Sequence, residues 1–387
     1  MKDLEQLTVF YGILQNPLVS AFAEAVKQPQ NERAQTEFFR KLYAADAQED
    51  VCAYFCNAVL RDENAFARAC AEEKPLSRYL FAAAVSDLQR IGQALKEWSA
   101  DDRFNVGRAS ELFEGWNEKT AERLSAYYRK NGYGKFSEYT AFRYTEGELV
   151  PIQSPSRVSL RDLKGYEREK AEVLDNFENF ARGLPFSDML LYGDRGTGKS
   201  STVHAAVNLY AAQKVRLVEL AKEDLLCLPS LKTKLAQIPM KFVLFVDDFS
   251  LSEKDERFST LKAALQGSME GHAKNVMIAA TSNRRHIVEE NFDTRRNSVH
   301  AGDSEQELLS LSDRFGITVL FSSVGKAEYL AIVSALADDA ELTTEKETLF
   351  RLAETWALIK GGRSPRRAKQ FIDYASACER KNKEIQL

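Results

Sequence analysis

Eight consecutive residues, Gly193-Asp194-Arg195-Gly196-Thr197-Gly198-Lys199-Ser200, constrain this chain more than any other segment. The apolar run MLLY precedes them and STVHAAVNLYAAQ follows, so a strand is expected to turn through the glycines into a helix. Glycines let successive backbone N–H groups face inward, where side chains would obstruct an anion. The helix beginning near Lys199 adds the positive end of its dipole. The pattern predicts a phosphate cradle over residues 193–201, ending at Ser201, for ATP or a close relative. Lys199 is expected to reach the β- and γ-phosphates, and the Ser200 hydroxyl to ligate Mg²⁺. A chance glycine-rich turn is the bland alternative, and the flanking strand and helix argue against it.

The rest of the chain suits such a core. From about residue 164, a helical stretch EREKAEVLDNFENFARG leads into five apolar runs: MLLYG, VRLVEL, KFVLFVDD, NVMIAATS and ITVLF. Nearly uninterrupted apolar strands separated by helices predict a parallel sheet covered on both faces. After about residue 323 only helical patterns remain (KAEYLAIVSALADD, EKETLFRLAETWAL, PRRAKQFIDYASACERK). Residues before about 135 also read as helical, with Gly132 and Gly134 marking a helix end. Between them, AFRYTEGELVPI suggests a hairpin turning at Glu146-Gly147, with Pro151 and Pro155 opposing helix. A length of 387 residues agrees with two or three domains. The expected division is 1–137 (helical), 138–163 (extended connector), 164–322 (α/β core) and 323–387 (helical lid).

Further polar residues sit where such a sheet binds ligands. KFVLFVDD places Asp247 and Asp248 at a strand end, the edge at which open parallel sheets hold ligands. Asp247 is expected to hold Mg²⁺ through its water shell, and Asp248 to polarise an attacking water. The next strand ends in Thr281-Ser282-Asn283, and Asn283 is the best placed to sense a γ-phosphate. A simple strand terminus is the bland reading of both. Arg314 precedes the last strand. Arg366 opens a helix in Gly361-Gly362-Arg363-Ser364-Pro365-Arg366, with Ser364 as N-cap and Pro365 in the first turn. Arginine suits developing phosphoryl charge because it stays ionised and its fork matches two oxygens.

In this order the motifs resemble an AAA+ ATPase. The strings FVDDFS, LKAALQGSMEG, NVMIAATSNRRHIVEE, LSLSDRFG and GGRSPRRAKQF look more narrowly like a bacterial AAA+ family of unknown function, over about residues 140–387. The resemblance implies an α/β P-loop NTPase fold with a five-stranded parallel sheet, a C-terminal helical lid and a helical N-terminal domain. It implies Lys199 and Ser200 as Walker A, Asp247 as Walker B and Asn283 as sensor 1. It further implies Arg366 as sensor 2, Arg314 as an arginine finger acting on a neighbouring subunit, and Gly165-Tyr166-Glu167 near the adenine. Most AAA+ enzymes carry Glu after the Walker B Asp, whereas this chain has the shorter Asp248. Two functions follow: an Mg²⁺-dependent ATPase moving a lid against its core to act on a macromolecule, or a slowly hydrolysing, nucleotide-gated loader. A small-molecule kinase would have no use for Asn283 and the Arg366 helix.

Composition narrows the partners. Net charge is -4, so the whole chain has no basic nucleic-acid footprint. A local basic cluster, Arg284-Arg285-His286 with Arg295-Arg296, stands beside the expected nucleotide edge; intersubunit salt bridges or a solvated loop are its plainer reading. The acidic insertion HAGDSEQELLSLS reads as a loop. Five scattered cysteines without CxxC spacing predict reduced thiols, not a disulfide framework or zinc site. No apolar run approaches the roughly 20 residues that cross a bilayer, and the N-terminus lacks a signal core. A cytoplasmic protein is expected, without membrane contact. Residues 1–137 are expected to recruit a protein or nucleic acid, and the core to assemble as a nucleotide-dependent homo-oligomer.

Overall fold

Every apolar run between residues 141 and 321 that was read as a strand forms one in the computed structural model. It describes residues 3–98, 105–107, 109–248, 260, 265, 273–283 and 314–385. Contacts divide the chain into Met1–Tyr139 and Thr140–Leu387.

The first unit is helical: α1 (Pro17–Lys27), α2 (Glu32–Ala44), α3 (Val51–Arg61), α4 (Ala65–Ala71), α5 (Arg78–Glu97), α6 (Glu118–Asn131) and α7 (Lys135–Glu138). Asn16, Asn31, Asp50, Asn64 and Ser77 cap the first five, each accepting a backbone N–H of the opening turn. Apolar faces meet in an aromatic core, with Phe22 5.4 Å from Phe38, 4.9 Å from Phe55 and 5.3 Å from Trp98 between ring centres. Asp87 is 1% exposed. It accepts the N–H groups of Thr8 (2.9 Å), Val9 (2.7 Å) and Phe10 (3.0 Å), which tie the start of the chain to α5.

The second unit holds one sheet of β1 (Ala141–Thr145), β2 (Glu148–Pro151), β3 (Met189–Gly193), β4 (Val215–Glu219), β5 (Lys241–Val246), β6 (Val276–Ser282) and β7 (Ile317–Phe321). Its order is β2-β1-β4-β5-β6-β3-β7. The α/β class with a parallel core sheet is as expected, with β3 to β7 all parallel and β3 between β6 and β7.

The sheet is wider than the five strands expected. β1 and β2 do form the hairpin, through Glu146 (φ 52) and Gly147 (φ 85). The hairpin is part of the sheet, because β1 pairs parallel with β4, Phe142 opposite Val218. Phe142 and Tyr144 are buried, so the hairpin gains an apolar face while it covers an otherwise open strand edge.

Helices α8 (Glu167–Arg182), α9 (Lys199–Leu209) and α10 (Leu228–Ala236) accompany the sheet, and α11 (Lys326–Asp339), α12 (Lys346–Ile359) and α13 (Pro365–Arg380) form a C-terminal helical bundle where the lid was expected. α8 and α9 bury Val173, Phe177, Phe180 and Val203 against Leu191, Val243 and Met277. The lid has its own core of Tyr329, Val333, Leu349, Phe371 and Ile372. Tyr166 packs against both clusters, so one side chain bridges core and lid.

Candidate functional site

The parallel register brings the C-terminal ends of β3, β5 and β6 together. β3 ends at Gly193, whose φ of 127 favours glycine; a Cβ there would lie 2.2 Å from the Phe321 carbonyl oxygen. This close approach lets the Asp194 N–H donate to that carbonyl at 3.0 Å. The loop then turns through Gly196 (φ 79) and Gly198 (φ 100) into α9. A Cβ at Gly198 would enter open space, so the hollow above it is room that an anion can use.

Lys199 is 6% exposed. Its ammonium donates to the carbonyls of Gly193 (2.9 Å) and Asp194 (2.7 Å) and to Oδ1 of Asn283 (3.1 Å). Burial pulls its pKa below the usual lysine value, against Asp194, Asp247 and Asp248, which raise it. The Ser200 hydroxyl donates to Asp247 Oδ1 at 2.5 Å. Asn283 uses its other end as well, Nδ2 donating to Asp248 Oδ1 at 2.5 Å. Thr197 Oγ1 closes the loop by donating to the Asp194 carbonyl at 2.9 Å. Lys199, Ser200, Asp247, Asp248 and Asn283, with Arg195, Gly196, Ser201 and Arg366, line a cavity of about 430 Å³.

A second cavity of about 240 Å³ adjoins it across the loop. Leu163, Gly165, Tyr166, Phe321, Ile332 and Leu336 give it an apolar lining, and Thr197, Ser201 and Arg366 are on its polar side. Tyr166 opens α8 with a left-handed φ of 57, lies 5.2 Å from Phe321 and donates its hydroxyl to the Ser322 carbonyl at 2.5 Å. Burial raises the Tyr166 pKa above the usual phenol value, so it remains a donor. The lid docks directly on the loop. The Ser364 hydroxyl caps α13 by accepting the Arg367 N–H at 3.4 Å, and the Arg366 N–H donates to the Gly196 carbonyl at 3.1 Å.

Thus Arg195, Gly196, Gly198, Lys199, Ser200, Ser201, Asp247, Asp248, Asn283 and Arg366 converge on one cavity, while Thr197 and Tyr166 face its neighbour. Gly193 and Asp194 contribute carbonyls to Lys199 and line neither cavity. Glu167, expected near the base with Gly165 and Tyr166, is exposed and lines neither. Arg314 stands three residues before β7, which runs parallel to β3. It therefore sits at the sheet edge opposite the phosphate loop and lines neither cavity. Arg284, Arg285, His286, Arg295, Arg296 and the segment HAGDSEQELLSLS lie outside the described residues.

Sequence reasoning passed over Thr281, whose hydroxyl donates to Asp247 Oδ1 (2.5 Å) and accepts the Asp248 N–H (3.0 Å). It also passed over Phe321, Ile332 and Leu336, which resemble any core residues until the fold brings them together. Among the described residues no cluster of three or more His, Cys, Asp and Glu could cage a metal. A hydroxyl and a carboxylate are instead a hard oxygen set of the kind that shares Mg²⁺ with phosphates and water. Oδ2 of Asp247 takes no hydrogen bond among the described residues, so the set fits that ion. All five cysteines are free, and among the described residues no helix is long and apolar enough to cross a membrane.

A family model described as "Protein of unknown function (DUF815)" matches residues 137–379. Comparison with curated proteins returns no match. Among solved structures, the chain is similar to the Thermotoga maritima RuvB Holliday junction branch migration motor at 16% identity and a TM-score of 0.40, covering 58% of this chain and 66% of that one. It is also similar to the FIGL-1 AAA domain in complex with ADP at 19% identity and a TM-score of 0.39, covering 59% and 76%. Both likenesses are distant.

Proposed function

The chain belongs to the DUF815 family, and from that premise we propose that it is an AAA+ ATPase that binds ATP with Mg²⁺ and releases phosphate. The observation that carries this reading is the junction of two unlike cavities at one glycine loop. One is polar and joins Lys199, Ser200, Asp247, Asp248, Asn283 and Arg366; the other is apolar and of a size for a base.

The nucleotide's phosphates lie over the N–H groups of the loop and the start of α9, and Lys199 exchanges its carbonyl partners for phosphate oxygens. Ser200 and Asp247 hold Mg²⁺, which neutralises phosphate charge when bound. Asp248 accepts a proton from the attacking water and Asn283 aligns that water. Arg366, carried on the lid, offsets charge at the transferring phosphoryl group and connects lid position with nucleotide state. Residues 1–137 recruit a macromolecular partner. Arg314, remote from its own site, serves that of a neighbouring copy in a nucleotide-dependent homo-oligomer.

One observation favours the slower, nucleotide-gated reading: the short Asp248 carboxylate is already engaged by Asn283. Incubation with Mg²⁺ and ATP separates the readings. Release of ADP and free phosphate supports hydrolysis, and several turnovers per second exclude the gated module. A phosphorylated acceptor in place of free phosphate contradicts both. Light scattering with and without ATP tests assembly.

A further inference from the structure

We propose that Thr281 is a positioning residue that sets both acids at the end of β5 for the hydrolytic step; the inference rests on the reading of the site as an ATPase. Thr281 is 1% exposed on β6, an inner strand whose register is fixed on both sides. It lies opposite Leu191 of β3, and its predecessor Ala280 lies opposite Val246 of β5. Its hydroxyl is thereby held beside the first residue beyond β5.

One hydroxyl can donate a single proton and still accept. Thr281 spends the proton on Asp247 Oδ1 (2.5 Å) and accepts from the Asp248 N–H (3.0 Å). The first bond adds to that from Ser200 on the same oxygen (2.5 Å), so both hydroxyls fix the carboxylate plane by Oδ1. Oδ2 is left for the water shell of Mg²⁺. The second bond holds the backbone where Asp248 takes a φ of 48, a left-handed conformation that a non-glycine residue keeps only when its surroundings impose it. That turn sends the Asp248 side chain to Asn283, 2.5 Å from its Nδ2. Removing the hydroxyl frees the metal-side acid to rotate and the next residue to leave its strained turn, while the Lys199 loop is untouched.

The test compares Thr281→Val, which keeps the volume, with Thr281→Ser, which keeps the hydroxyl. Three quantities are read: kcat, ATP affinity in EDTA, and the gain in ATP affinity on adding Mg²⁺. T281V is expected to bind ATP in EDTA like the parent, to lose most of the Mg²⁺-linked gain, and to fall roughly ten- to a hundredfold in kcat. T281S is expected to recover kcat to within about threefold of the parent. A T281V protein with the parent's kcat and Mg²⁺-linked gain overturns the proposal. So does a T281S protein as impaired as T281V, since volume and branching would then be what matters. Should T281V not fold, Ser and Cys at this position differ in donor strength at similar size, and equal activity of the two overturns it. A parent that binds Mg²⁺ and ATP without releasing phosphate overturns the ATPase reading instead, while the Mg²⁺-linked gain still judges Thr281.

Discussion

The two halves of the proposed nucleotide site are built by opposite means. The phosphate half comes from short runs of sequence at three strand ends, closed by hydrogen bonds of 2.5 to 3.1 Å from Lys199, Ser200, Thr281 and Asn283. The base half gathers single residues from distant places, Leu163 and Gly165 before α8, Phe321 at the end of β7, and Ile332 and Leu336 on the lid. Charge has to be met by particular polar groups at particular distances, whereas a flat apolar base needs only shape and dryness. Within the first half, the acids at the end of β5 should therefore govern chemistry and Lys199 the hold on phosphate, while the second half should govern only the hold on the base.

Three substitutions test this division, beginning with the largest effect. Asp248→Ala should lower phosphate release about a hundredfold or more, the usual share of a general base, with ATP affinity near the parent's. A fall in affinity of the same size would break the division. Gly165→Val should act on the other half alone. Its φ of 81 is unsuited to a branched side chain, and even a Cβ there would lie 2.9 Å from Ile332 Cδ1. Weakening of ATP and ADP by about tenfold each is expected, with turnover at saturation unchanged, as equilibrium titration and initial rates will show. Tyr166→Phe removes only the hydroxyl that reaches Ser322. A neutral hydrogen bond is worth about 1 kcal/mol, so affinity should weaken roughly fivefold; a larger fall in kcat than in affinity would move Tyr166 into the chemical half.

The same contrast explains what could be read in advance. That Gly196, Gly198, Lys199, Ser200, Asp247, Asp248 and Asn283 would come together was legible, because phosphate chemistry would demand such scarce residue types at strand ends. Thr281 stood in the same strand end, but its hydroxyl gains meaning only once β6 is known to lie beside β5. Phe321 and Ile332 carry no mark that separates a base pocket from a core. The hairpin at Glu146-Gly147 was visible in its turn residues, but its seat on β4 depends on a long-range pairing that local pattern does not encode. The N-terminal unit shows the limit most clearly. Its helices follow from apolar spacing and caps, but the capture of the Val9 N–H by Asp87, 78 residues away, leaves no local trace. The packing of Phe22 on Phe38 and Phe55 is likewise a product of the folded unit and not of any local run.

The phosphate cradle is most directly tested by titrating a fluorescent ATP analogue with Mg²⁺ into the parent and the Lys199→Ala protein, with thermal unfolding as a control for folding. Loss of a charge-assisted contact to phosphate predicts affinity weaker by roughly a hundredfold at an unchanged unfolding temperature. Equal affinity in the two proteins would contradict the assignment of this loop as the place where phosphates are held.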